Sequence, residues 1–192
     1  MIDPEAFRQS VGSFYWEVAL LGLGLLSGLF ITLRLIKRAE LAEGASRTDF
    51  WCLADLCAPG LALVQAIWSL RGFFSQAGYG IETKVPWAVF FDGVPRHPLF
   101  LYHFALNLAL FFFLLHVGKR EKVPGTVFLR YFIWYFGGRY WIEGVVADPL
   151  LWWRFKAGQL VSLLLLHVGL ILQWQRRRRF KKAEGGEQGC VT

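Results

Sequence analysis

Arg139 lies near the middle of an aromatic, apolar run that extends from Phe128 to Val146. A permanently charged guanidinium in a membrane-length segment is costly unless it is paired or wetted. Tyr135 precedes it by four residues and Glu143 follows by four, so helical pitch stacks all three on one stripe. The planar arginine fork suits phosphate, which it can grip through two parallel bonds. Gly137 and Gly138 permit another helix or a ligand to approach the backbone closely. The chemistry expected of such a stripe is anion binding at membrane depth. The alternative is a structural Arg–Glu pair that locks helices together.

A second constellation is Pro95-Arg96-His97-Pro98, followed by Tyr102 and His103. Each proline forces the residue before it into extended backbone, and Pro98 suits the first position of a helix. Arg96 and His97 are therefore expected at the mouth of a span, where an anionic headgroup would sit. His103 is expected about one turn inside, and histidine is the natural proton acceptor near neutral pH. The competing reading has Arg96 snorkelling to lipid phosphate and His103 hydrogen-bonding a neighbouring helix. In a third stretch, Asp55 reads as a helix-end hydrogen-bonder. The Pro59-Gly60 pair nearby reads as a break in a hydrophobic segment, tolerated where protein covers it.

The elements that must position these residues follow from composition. The chain has 192 residues, 55% hydrophobic and 17% aromatic, which points to an integral membrane protein. The expected fold is all-α: a polytopic membrane helical bundle of about five segments. They run from Phe14 to Ile36, Phe50 to about Phe74 with the Pro-Gly break, Pro98 to Val117, Val127 to Val146, and Leu160 to Trp174. Residues 1–13 read as an extracytoplasmic N-terminus, 14–175 as one transmembrane domain, and 176–192 as a basic, disordered cytoplasmic tail.

The net charge of +7 comes mostly from short clusters at span ends, which argues against nucleic acid as a partner. Arg34, Lys37, Arg38 and Arg47 follow the first span. Lys119, Arg120 and Lys122 follow the third, with Arg130 just beyond, and Arg176 to Arg179 with Lys181 and Lys182 follow the fifth. Arg8, Arg71, Lys84, Arg96, Arg154 and Lys156 lie on the other side. The imbalance puts the N-terminus outside and the C-terminus in the cytoplasm. The acidic start, Met1 to Glu5, lacks the features of a cleaved signal peptide. Cys52 and Cys57 read as buried thiols, and neither they nor Cys190 require a disulfide or a metal.

Read in order, these stretches resemble the bacterial prolipoprotein diacylglyceryl transferase family. The matching pieces are Asp55 to Gly60, Gln65-Ala66-Ile67, Tyr79 to Trp87, Arg96-His97-Pro98 with Leu101-Tyr102, Pro124-Gly125, Tyr135 to Glu143, and Gly158 to Ser162. The resemblance implies a bacterial inner-membrane enzyme that uses phosphatidylglycerol and needs no cofactor or metal. It would move a diacylglyceryl group onto the lipobox cysteine of a lipoprotein precursor and release glycerol phosphate. On the matching positions, Arg139 would hold phosphate, Glu143 would orient it, and Tyr135 would hydrogen-bond nearby. Tyr102 falls in the matched stretch and joins the substrate-binding candidates.

The chain departs from the family's central Gly-Arg-x-Gly-Asn-Phe signature. Ser69, Gly72 and Ala77 stand where the family has Arg, Asn and Glu, and no histidine precedes His97. His103 stands where the family has Glu after Leu-Tyr. Three readings therefore stay open. In the first, a shortened transferase uses His103 or His97 as base, with Arg139 and either Arg71 or Arg96 on phosphate. In the second, a non-catalytic relative binds anionic lipid or a lipoprotein precursor. In the third, the scaffold carries other lipid-headgroup chemistry.

Overall fold

The computed structural model of the chain describes residues 19–37, 50–74, 79–91, 93–121, 123–147, 151–152 and 155–187. Helix α1 spans Ala19–Lys37. α2 spans Phe50–Ser69 and a short α3 spans Arg71–Phe74. Strands β1 (Tyr79–Glu82), β2 (Val89–Phe91) and β3 (Val94–Pro98) lead into α4, Leu99–Gly118. α5 spans Thr126–Gly144, the pair β4 (Leu151–Trp152) and β5 (Phe155–Lys156) follows, and α6 spans Ala157–Glu187.

Leucine-, alanine- and phenylalanine-rich runs become helices here because lipid offers the backbone no partners, and a helix satisfies its own. α1, the stretch Phe50–Phe74, α4 and the Ala157–Lys181 part of α6 are each long and apolar enough to cross a bilayer. α5 is different. It carries Arg130, Arg139 and Glu143, and it packs against α2, α4 and α6. The chain is a multi-pass, all-α membrane protein.

Helix association in lipid depends on close packing, since lipid tails are as apolar as leucine. The core follows that rule. Small Ala58 and Ala62 of α2 meet Leu110, Phe111 and Leu114 of α4 and Val127 and Tyr131 of α5. α1 and α2 approach backbone to backbone, and a β-carbon added at Gly60 would stand 2.7 Å from the Gly28 carbonyl.

Three expectations need correction. Pro59 does not break its segment, and α2 runs continuously through Pro59 and Gly60. A proline removes one hydrogen bond, whereas opening the helix in lipid would strand several more backbone groups. Residues 176–187, expected within a disordered tail, are the helical end of α6. Its arginines have good helix propensity and find partners. Arg176 Nε donates to the Pro124 carbonyl at 3.0 Å and its guanidinium lies 4.1 Å over the Trp51 ring. Arg177 lies 3.5 Å from Glu121, which also pairs with Arg130 at 2.6 Å. Pro98 is the cap before α4 rather than its first residue. The expected N-terminal segment 1–13, residues 14–18 of the first span and residues 188–192 lie outside the described residues.

The small sheet was not anticipated. Its order is β1-β3-β2, all antiparallel, with Arg96 on the central strand opposite Glu82 and Val89. Pro95 and Pro98 keep β3 extended, as expected. The sheet docks on the far end of α5: Gly80 bridges to Val146 and the Ile81 amide donates to the Val145 carbonyl at 2.9 Å. A β-carbon at Gly80 would collide with that same carbonyl and stand 2.9 Å from His97 Cβ. Gly80→Ala should therefore pry the sheet from α5. The expected loss is about 1–3 kcal/mol, typical of overpacking. It would be read as a lowered melting temperature together with faster amide exchange at Ile81, and an unchanged Ile81 would contradict the docking.

Candidate anion-binding site

The stripe expected from spacing exists. Arg139 Nη2 donates to Glu143 Oε1 at 3.0 Å, and Nη1 donates to the Tyr135 hydroxyl at 3.3 Å. The pair is not sealed: the Arg139 side chain keeps 40% of its surface open, against 17% for Glu143. A guanidinium has five N–H groups, and two are accounted for here. Because the Tyr135 oxygen accepts from Arg139, its own O–H remains to donate. Arginine and tyrosine can thus offer donors to one anion together, while Glu143 holds the guanidinium in place.

Three elements enclose the stripe. α4 approaches α5 at Gly138, where an added β-carbon would stand 2.5 Å from Leu106 Cδ1. This is the close approach that the Gly137-Gly138 pair suggested. His103, half-buried on α4, stands within electrostatic range of both Arg139 and Glu143. The start of α6 closes the other side, since a β-carbon at Gly158 would stand 2.5 Å from Glu143 Oε2. Lys156 Nζ donates to the Gly144 carbonyl at 2.7 Å, placing a cation at the negative end of the α5 dipole.

His97 and Tyr102 belong to a neighbouring cluster. His97 Nδ1 and the Tyr102 hydroxyl lie 2.8 Å apart, and Trp87 Nε1 donates to the same hydroxyl at 2.8 Å. This ties the sheet to the first turn of α4. Arg96 lies on β3, and its Nε is buried with no hydrogen-bond partner among the described residues. Arg71 sits at the start of α3 with its guanidinium 4.6 Å from the Trp68 ring centre. The structure thus joins Arg139, Glu143 and Tyr135, with His103 within electrostatic range of the Arg139–Glu143 pair. It sets His97 and Tyr102 beside the sheet, Arg96 within it and Arg71 on an indole.

Two residues were missed. Tyr131 extends the stripe one turn deeper, and its four-residue spacing from Tyr135 was a readable signal. Asn107, one turn below His103, donates to the His103 carbonyl at 2.9 Å and is 2% exposed, and nothing in the sequence marked it. No group of three or more metal-ligating residues occurs among the described residues.

Fold and site together define a class: a helical-bundle membrane protein with a partly open, tyrosine-supported arginine near one end of its bundle. The model of one family, prolipoprotein diacylglyceryl transferase, matches residues 14–175, and the chain belongs to that family. It is similar to proteins named phosphatidylglycerol–prolipoprotein diacylglyceryl transferase from several bacteria. The one from Listeria welshimeri serovar 6b is 34% identical over 188 residues, covering 90% of this chain and 66% of the relative. That from Finegoldia magna is 35% identical over 136 residues, covering 70% and 55%. That from Gloeobacter violaceus is 37% identical over 144 residues, covering 69% and 54%. The chain therefore spans 54–66% of the length of these relatives.

Proposed function

We propose that this chain transfers a diacylglyceryl group from phosphatidylglycerol to the lipobox cysteine of a lipoprotein precursor. The observation that carries the reading is the open Arg139–Tyr135 donor pair braced by Glu143, on a chain of this family. In the step, the cysteine thiol gives its proton to a base and the thiolate attacks the terminal glyceryl carbon. The carbon–oxygen bond to phosphate breaks, a thioether forms, and glycerol phosphate leaves with the electron pair. Arg139 and Tyr135 stabilise the charge on the departing phosphate. His103 is the base, because it lies within electrostatic range of both Arg139 and Glu143, and His97 with Tyr102 supports the acceptor side. Arg96 and Arg71 contribute positive charge at the mouth.

We further read the protein as lying in the bacterial inner membrane, N-terminus outside and C-terminus in the cytoplasm. The bundle geometry supports this. The basic ends of α4 and α6 and the start of α5 share one end, joined by Arg130, Arg176, Arg177 and Glu121, while the candidate site lies at the other.

The test uses the purified chain in phosphatidylglycerol vesicles with a lipobox peptide. Release of glycerol phosphate and a matching gain in peptide mass are expected. His103→Gln should reduce transfer about a hundredfold or more, the usual contribution of a positioned base, and His97→Gln should have a smaller effect. The absent Arg, Asn and Glu of the family signature favour a second reading, a lipid-binding relative without turnover. Saturable, Arg139-dependent lipid binding with no release would establish that one instead.

A further inference from the structure

The polar chain does not stop at Tyr135. Tyr131, one turn deeper on α5, stacks on the Tyr135 ring with centroids 5.8 Å apart and planes 24° from parallel. Its hydroxyl donates to Gln65 Oε1 on α2 at 2.8 Å. On the same helix, Ser69 Oγ donates to the Gln65 backbone carbonyl at 2.6 Å. Tyr131 is buried in the bundle core.

We propose that Gln65 is a positioning residue for the anion site, acting through the Tyr131–Tyr135 stack on the guanidinium of Arg139. A phenol buried among helices must keep an acceptor, so the Tyr131 ring points where α2 presents one. A stacked ring cannot turn without carrying its neighbour, and that neighbour's oxygen is where Arg139 Nη1 is anchored. The setting of α2 against α5 is thereby passed to the group that would hold phosphate. α2 contributes the acceptor alone, so Gln65 touches no substrate in this scheme.

The kinetic part rests on the proposed transfer reaction, whereas the spectroscopic part does not. Gln65→Met is close in volume but offers no strong acceptor, and Gln65→Glu keeps an oxygen at the same reach. With phosphatidylglycerol vesicles and a lipobox peptide, Gln65→Met should raise KM for the lipid about five- to tenfold with kcat within about twofold, the pattern of lost uniform binding. Gln65→Glu should stay within about twofold of the parent in both. Tyr131→Phe should match Gln65→Met, and the double variant should be no worse than either, as coupled partners require. In protein labelled with 3-fluorotyrosine, the Tyr135 fluorine resonance, assigned through Tyr135→Phe, should move in Gln65→Met and hold in Gln65→Glu. If Gln65→Met does not fold, Tyr131→Phe serves for both readouts. A parent that releases no glycerol phosphate overturns the transfer reading, while the resonance still decides the positioning role. A Tyr135 resonance unmoved by either Gln65→Met or Tyr131→Phe overturns the positioning role.

Discussion

Arg139→Ala should lower transfer by at least about a hundredfold, the scale seen when one donor to a developing anion is removed. The substitution does more than delete a charge. It leaves Glu143, 17% exposed and packed against the start of α6, without its bonded cation. It also takes the guanidinium off the Tyr135 hydroxyl, so the donor pair disappears as a unit. Arg139→Lys should remain impaired by about tenfold, because an ammonium cannot span two acceptors as the planar fork does. Arg71→Ala should cost no more than about threefold, since an exposed arginine resting on a half-buried indole is a weak, screened contributor. The measurement is glycerol phosphate release alongside phosphatidylglycerol binding, with melting curves to separate misfolding from lost chemistry. If Arg139→Ala and Arg71→Ala proved equally harmless to both release and binding, the site assignment would be wrong.

The largest loss of stability is expected at the opposite end of the bundle. Asp55 of α2 accepts from the Gly125 amide at 2.6 Å and from the Phe128 amide at 2.7 Å. Those amides open α5, whose own cap residue, Gly125, sits in the left-handed region at φ 87° and supplies no side chain. Asp55 therefore caps a helix that follows it by some seventy residues, and its charge suits the positive end of the α5 dipole. Asp55→Ala should destabilise the fold by about 2–3 kcal/mol, more than an exposed cap, because two amides lose their partner at a covered helix end. Asp55→Asn, which keeps one acceptor oxygen, should lose roughly half as much. Chemical unfolding in detergent micelles would order the three proteins, and an Asp55→Ala as stable as the parent would remove the cap from the account. Because α5 also carries Arg139, some loss of lipid affinity should accompany the instability.

These residues separate what one helix encodes from what helices encode jointly. Tyr135, Arg139 and Glu143 were legible in advance because the pitch of an α-helix is a local property, and residues four apart meet wherever the helix lies. The hydropathy that marks the spans is local in the same sense, as is the extended backbone around Pro95 and Pro98. Asp55 was legible as a helix-end hydrogen-bonder, but the helix it serves was not.

Other features needed the assembled bundle. Pro59 reads as a break in isolation, yet neighbours on α1 and α4 leave the chain nothing better than a continuous helix. The arginines after Trp174 read as a solvated tail until Pro124, Trp51 and Glu121 are brought beside them. The three-stranded sheet is held by pairings between short strands and by the end of α5, and no periodicity within four or five residues announces such partners. That His103 comes within electrostatic range of Arg139 depends on how closely α4 meets α5 at Gly138. Helical pitch therefore decides which side chains share a stripe. Only the packing of one helix against another decides what that stripe faces, because contacts between distant segments depend on backbone approach distances that composition does not carry.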